Sequence, residues 1–337
     1  MAVTCKTLFC EYITSFLTLY LPCQMGRSDN TVGFYRDSLT MFRRFLNDRD
    51  MSLHTLVFDE VTPELVRNFL SWLDEKGNSP QTRNQRLSGL KGYLQYSADR
   101  DVNLSSIAAR IIRIAPVPVA KQEKVLLSDE AFAAILRQLP STMKGARNKA
   151  MLLLLSETAI RVSELTGLLV SDLHIDRELP YIRVRGKGKK ERHVPITDTL
   201  CSVLRKYLKN CHDGRTDVLF YTNHCGEHTK LSARSVQSIL SGYAEKARKT
   251  CDLIPEHVYP HMLRRSRATN LYRNGMSLEL VSSMLGHEQL ETTRIYAKPS
   301  MEQMRANMDN LLPPSAIRKR LVWKDKEEDF ARKLGLR

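Results

Sequence analysis

Apolar residues recur at helical spacing through most of the chain. Phe9, Ile13, Phe16, Leu17 and Tyr20 form a stripe within 8–22, and similar stripes run through 30–47, 63–76 and 80–98. Pro63 falls near the start of the third segment, where a first-turn proline costs no hydrogen bond. Short polar turns separate these segments, and no convincing alternating strand interrupts them. The pattern predicts a small all-α unit over the first third.

The pattern breaks between Ile114 and Val125, where Pro116 and Pro118 stiffen an extended stretch. This predicts a helical domain over 1–115, a linker over 116–125, a second domain over 126–310 and a tail over 311–337. Helical spacing resumes over 129–139 and 146–158 and then changes period. Residues 181–185 and 192–196 alternate like two short strands joined through a Gly-Lys-Gly-Lys-Lys turn. Further helices are expected over 197–209, 232–249, 261–273, 278–285 and 289–297. The fold class expected is therefore mainly α with one small antiparallel β-sheet, and no internal repeat is evident.

Composition narrows the partner. A chain of 337 residues with 42% hydrophobic and 26% charged residues reads as soluble and globular, with room for about two domains. A formal charge of +15 points to nucleic acid, the alternative being a merely solvated basic surface. Seven cysteines without paired CxxC spacing suit reduced thiols in the cytoplasm. His212, His224 and His228 lie among Cys201, Cys211, Cys225 and Cys251, but these spacings match no usual zinc pattern and no metal is expected. Glu11 interrupts the apolar start, the opening residues are not strongly basic, and no small-residue cleavage site follows. Neither a signal peptide nor a membrane span is expected.

The second half carries an ordered set of residues suited to a phosphodiester: Arg161, Lys187, His261, Arg264, His287 and Tyr296. Their contexts are Thr158-Ala-Ile-Arg161-Val-Ser-Glu164, Gly186-Lys187-Gly188-Lys189-Lys190-Glu191-Arg192, His261-Met-Leu-Arg264 and Leu285-Gly286-His287, with Tyr296 nine residues beyond. Guanidinium stays charged and matches phosphate oxygens with a planar fork. His261 and Arg264, three apart, share a helical face. A tyrosine nucleophile would conserve the broken bond's reactivity in a phosphotyrosyl ester, so that resealing needs no ATP. Each member also has a plainer reading. Either arginine could form a surface salt bridge, Glu164 being a local partner for Arg161. The histidines could be structural, the lysines plain phosphate anchors, and Tyr296 a packing residue.

Taken in this order and spacing, the set resembles the tyrosine recombinases of the phage integrase family, strongly over about 125–300 and more loosely in the N-terminal third. The resemblance implies an N-terminal all-α, SAM-like core-binding domain and a C-terminal α+β catalytic domain. It implies Tyr296 as nucleophile, Arg161 and Arg264 as phosphate clamp, and Lys187 as the acid for the leaving 5′ oxygen. His261 would assist proton removal or hold a phosphate oxygen, His287 would donate to the phosphoryl group, and Glu164 would orient its basic neighbours. Double-stranded DNA with specific sites is the implied partner, bound by a homotetramer that works through a Holliday junction without metal or nucleotide cofactor. Partner recombinases or accessory DNA-bending proteins could join it, with a cytoplasmic, nucleoid-associated location. Lys189, Lys190, Arg265 and the basic face of Arg83, Arg86 and Lys91 are candidate DNA contacts, a solvated face being the alternative for the last three. The expected use is integration, excision or transposition of a mobile element, the alternative being resolution of chromosome dimers. Two departures stand out: Ala159-Ile160 replaces the usual Gly-Leu before Arg161, and Arg265 stands where a second histidine is frequent. The rival readings are a non-catalytic architectural or regulatory DNA-binding protein on the same fold, and a relaxing topoisomerase.

Overall fold

The computed structural model describes residues 6–120, 125–186, 190–224 and 227–286. The chain divides into two compact units, Met1–Glu123 and Lys124–Arg337. In the first, α1 (Ile13–Ser15) runs directly into a π-helical stretch, Phe16–Gln24, followed by α2 (Asp29–Asn47), α3 (Pro63–Glu75), α4 (Pro80–Arg100) and α5 (Ser105–Ile112). The helix expected over 8–22 thus starts later. Leu8 pairs in an isolated bridge with Val57, and the Phe9 N–H donates to Leu56 O. Pro22, lacking an N–H, sits inside the π-helical stretch.

Aromatic rings fill the centre of this unit. Phe9 lies 5.4 Å from Phe42, 5.3 Å from Phe58 and 5.0 Å from Tyr93, centroid to centroid. The buried Tyr93 hydroxyl donates to Phe9 O, and burial pushes its pKa well up. Helices α2 and α4 cross closely because Gly89 has no side chain: a Cβ there would lie 2.3 Å from Ser38 Oγ. Helix α5 was not expected. Its buried Ile107, Ala108 and Ile111 supply too short a stripe beside the Pro-rich break.

The second unit opens with α6 (Asp129–Arg137), α7 (Met143–Thr158) and the short α8 (Val162–Thr166). A three-stranded antiparallel sheet follows in the order β1 (Leu173–His174), β2 (Tyr181–Arg185), β3 (Glu191–Pro195), with Ile182 opposite Val194 and Val184 opposite Arg192. Then come α9 (Asp198–Asn210), β4 (Tyr221–His224), β5 (Glu227–Lys230), α10 (Ala233–Arg248), α11 (Pro260–Arg273) and α12 (Leu278–Leu285). The β4–β5 hairpin is a second sheet, which corrects the expectation of one. Its strands carry mostly polar residues, so hydrophobic alternation did not announce it.

Helices α3, α4, α6, α7, α9, α10 and α12 each open on a Ser or Thr whose hydroxyl accepts an N–H of the first turn. Buried side chains of α6, α7, the sheet, α9, α10 and α11 form one core, including Met151, Val194, Leu204, Leu240 and Met262. No helix among the described residues is long and apolar enough to cross a membrane. The helix expected over 289–297 and the tail over 311–337 lie outside the described residues.

Candidate active site

Helix α7 ends at Ala159, which caps it in the left-handed region at φ 52°. The reversal delivers Arg161 to the N-cap of α8, and Glu164 stands at the third position of that helix. The Glu164 carboxylate accepts the Arg161 backbone N–H at 2.8 Å and Nη1 of its side chain at 3.0 Å. Glu-plus-three spacing is the familiar signature of a helix start, and here it also holds the side chain that precedes it.

Strand β3 contributes Arg192, which grips the same carboxylate with two prongs: Nη1 to Oε1 at 3.0 Å and Nη2 to Oε2 at 2.8 Å. The Glu164 side chain is only 5% exposed. Burial by itself would raise its pKa, but the bonds from Arg192 and Arg161 outweigh that and hold the carboxyl below its ordinary value.

Three arginines from separate elements meet the C-terminal end of α12. Arg192 Nε donates to Met284 O at 3.0 Å, Arg264 Nη2 to Leu285 O at 2.8 Å, and Arg161 Nη2 reaches Gly286 O at 3.4 Å. These carbonyls carry the negative end of the helix dipole, which explains why cations collect there. Arg264, 1% exposed, also donates to Ala159 O at 2.6 Å and thereby ties the end of α7 to the end of α12. Arg161 is the open member, its side chain 42% exposed. Arg161 and Arg192 pair with Glu164 while Arg264 donates to two carbonyls, so these four side chains sum to a formal charge of +2, which suits an anion such as phosphate.

The remaining predicted positions fall as follows. His261 is exposed near the start of α11, one turn before Arg264. Arg265 is buried with Nη2 3.5 Å from the Tyr259 hydroxyl. Lys190 closes the β2–β3 turn, its carbonyl accepting from Gly186 N at 2.8 Å. Lys187, Lys189, His287 and Tyr296 lie outside the described residues, while Gly186, Lys190 and Gly286, which adjoin the first three, lie within them. A Cβ added to Gly186 would lie 3.9 Å from Glu164 Oε1, so the residue before Lys187 borders the cluster. Asp172, buried, binds Arg183 Nε at 3.0 Å and Arg185 Nη2 at 2.9 Å, fixing the strand that leads into that turn.

The basic face of α4 is more engaged than its sequence suggested. Arg83 Nε pairs with Asp74 at 3.0 Å, and Lys91 Nζ donates to the carbonyls of Ile112 at 2.8 Å and Ile114 at 2.5 Å. Lys91 therefore caps the end of α5, and burial lowers its pKa. Arg86 is half-buried on the same helix. Around the histidines, His212 Nε2 meets Val218 O at 3.0 Å, His228 pairs with Asp213, and Cys201 is buried in the core. Among the described residues no three His, Cys, Asp or Glu side chains gather as a metal site would need.

Arg192 is the site residue that sequence reasoning did not single out. The signal was present: along β3 it shares the inward face with Val194. An arginine in a core-facing position calls for a buried partner, and Glu164 is that partner.

Comparison with known proteins identifies the family. Residues 124–303 match the phage integrase family, and residues 13–101 match its N-terminal SAM-like domain. The chain belongs to the phage integrase family and is a tyrosine-type recombinase. Tyrosine recombinase XerD of Oceanobacillus iheyensis is 32% identical over 301 residues, covering 88% of this chain and 96% of the relative. Tyrosine recombinase XerC of Bacillus subtilis is 30% identical, with 88% and 95% covered. Among solved structures, XerH site-specific recombinase bound to palindromic difH substrate aligns with a TM-score of 0.67 at 23% identity, covering 84% of this chain and 80% of that one. The Tn1549 transposon integrase in complex with transposon right end DNA aligns at 0.66 with 18% identity, covering 89% and 99%. These two likenesses bear on the fold.

Proposed function

We propose that the chain is a site-specific DNA recombinase that cleaves and rejoins DNA through a 3′-phosphotyrosyl intermediate at Tyr296. The observation that carries this reading is the convergence of Arg161 and Arg264 on Gly286 and Leu285, immediately before His287. Arg161, at the N-cap of α8, offers an open and permanently charged fork to the non-bridging oxygens of a phosphodiester, and the buried Arg264 of α11 adds its fixed charge at the same helix end. Glu164 aims Arg161, His261 lies one turn from Arg264, and Lys187 follows the glycine that borders Glu164. Attack by the Tyr296 oxygen on phosphorus, with its proton passing to His261, forms the phosphotyrosyl ester and releases the 5′ oxygen, which takes a proton from Lys187. Attack by a 5′ hydroxyl then reverses the step on a new partner strand.

In this reading the helical unit also meets duplex DNA, and Lys189 and Lys190 add phosphate contacts, whereas Arg265 is buried beside Tyr259 and takes no such part. Four copies on two paired sites exchange strands through a Holliday junction, in the service of integration, excision or transposition of a mobile element. The formal charge of +15 supports a large salt-sensitive phosphate contribution to binding.

The test is a suicide-substrate assay with nicked duplexes drawn from the DNA that flanks the gene, free of metal and ATP. Wild-type protein should give a covalent protein–DNA band on a denaturing gel, and Tyr296→Phe should give none. Tight binding by the wild type without any covalent band would instead favour an architectural DNA-binding protein.

A further inference from the structure

Arg192 has no part in the phosphate chemistry above, yet the parts of the site meet around it. Its side chain is 15% exposed and three of its donors are committed, two to Glu164 and one to Met284 O. A Cβ on Gly286 would lie 2.8 Å from Arg192 Nη1, and one on Gly186 would lie 3.7 Å from the same atom. The guanidinium is therefore packed against the residue before His287 and close to the residue before Lys187. Gly286 sits at φ 65° as well, so glycine there satisfies both the backbone and Arg192.

The three contacts at the end of α12 differ in kind. Arg161 is the most open of the three arginines and its contact with Gly286 O, at 3.4 Å, is the longest. A DNA phosphate can draw Arg161 away from that carbonyl at little cost. Arg192 cannot leave so easily, because departure would strip a buried carboxylate of its two-pronged partner. We propose that Arg192 is a positioning residue: it keeps Glu164 aimed at Arg161 and holds the end of α12, so that Arg161 can exchange Gly286 for a phosphate while the chain leading to His287 stays in place. This inference rests on the recombinase reading. Lysine is a poor substitute, since one ammonium cannot serve both carboxylate oxygens and a carbonyl in the planar arrangement of a guanidinium.

The experiment compares wild type, Arg192→Gln, Arg192→Lys and Gly286→Ala on the same nicked duplex. Two quantities are read: equilibrium DNA affinity, and the single-turnover rate of covalent attachment at saturating DNA. Arg192→Gln should slow attachment about 100-fold, the cost of a small misplacement of reacting groups, with affinity changed by less than about threefold. Arg192→Lys should recover part of that rate, and Gly286→Ala should lose rate by pushing on the guanidinium. Since Arg192 acts partly through Glu164, the Arg192→Gln and Glu164→Gln losses should combine to less than their product.

A wild-type attachment rate in Arg192→Gln overturns the proposal. So does a fall in affinity equal to the fall in rate, which would mark Arg192 as a residue of general stability. Amide hydrogen exchange over 278–286 in DNA-free protein gives a readout independent of recombination. Exchange there should quicken in Arg192→Gln, and unchanged exchange overturns the hold on α12. Should the wild type never become covalently attached, the recombinase reading falls, while the exchange comparison still passes or fails Arg192.

Discussion

The centres of the two units are built on opposite principles. In the first, rings touch rings: Phe42 lies 5.2 Å from Phe69, and Phe16 lies 5.1 Å from Tyr96. The buried polar groups there, Ser38 and Ser97, each donate back to a carbonyl four residues earlier. In the second, the buried set includes Glu164, Asp172, Arg264 and Arg265, beside a conventional apolar core. Burial of apolar rings needs no partner of defined geometry, whereas a buried charge is tolerable only with one. The first centre thus stores stability. The second spends part of it to hold arginines on two buried carboxylates, Arg161 and Arg192 on Glu164 and Arg183 and Arg185 on Asp172, an arrangement that makes sense where an anion is to be received.

The sharpest way to break this contrast is Phe42→Ala. It should cost about 3–5 kcal/mol through loss of a fully buried ring, seen as faster hydrogen exchange in the first unit. The rate of covalent attachment at saturating DNA should be unchanged. A proportionate loss of that rate would show that the aromatic centre does more than support its own unit.

Glu164→Gln probes the other centre and should cost about 1.5–3 kcal/mol, the range for hydrogen bonds to charged groups, measured by chemical denaturation. Unlike Phe42→Ala, it should slow attachment as well, because Arg161 loses the carboxylate that aims it. Equal effects of the two substitutions on chemistry would erase the distinction.

Acid sharpens the same point. Glu164 has a folded pKa below its ordinary value of 4.5, so its contribution to stability is fully present above that value and is lost as pH falls through the folded one. Acid denaturation monitored in the second unit should therefore flatten in Glu164→Gln across that window. A curve identical to wild type would mean that the carboxylate does not carry the linkage.

The smallest effect is expected at Ala159, the residue standing where the family usually has glycine. A left-handed conformation costs an L-residue roughly 1–2 kcal/mol, while its fully buried methyl contributes about 0.8 kcal/mol. Ala159→Gly should accordingly be near neutral to mildly stabilising, by less than about 1.5 kcal/mol by that arithmetic, in a thermal melt. A clear destabilisation would show that the methyl's packing beside Val281 and Leu285 outweighs the strain.

Much of the helical framework was legible before any coordinates. The segment expected over 63–76 is α3 at Pro63–Glu75, and 181–185 is β2 to the residue. These elements carry their own signal: a stripe at helical period, an alternating strand, a capping hydroxyl. Helix α5, the β4–β5 hairpin and the π-helical winding at Phe16–Gln24 were missed, because short, polar or irregular elements depend on neighbours that periodicity cannot see. Among the cations, Arg83 and Lys91 looked alike in sequence and differ in place: one pairs with Asp74, the other ends α5.

The sequence by itself determined which side chains are present, their order, and the period of the elements that carry them. From that, Arg161 and Arg264 were recognisable as a pair, and Glu164 as a neighbour of the first. Only the tertiary structure decided that Arg161, Arg192 and Arg264 come to rest on successive carbonyls at one helix end, and that Arg192 shares the carboxylate of Glu164. Such contacts join residues 21 to 125 positions apart, and their geometry follows from the path of the chain between them, which no local pattern encodes.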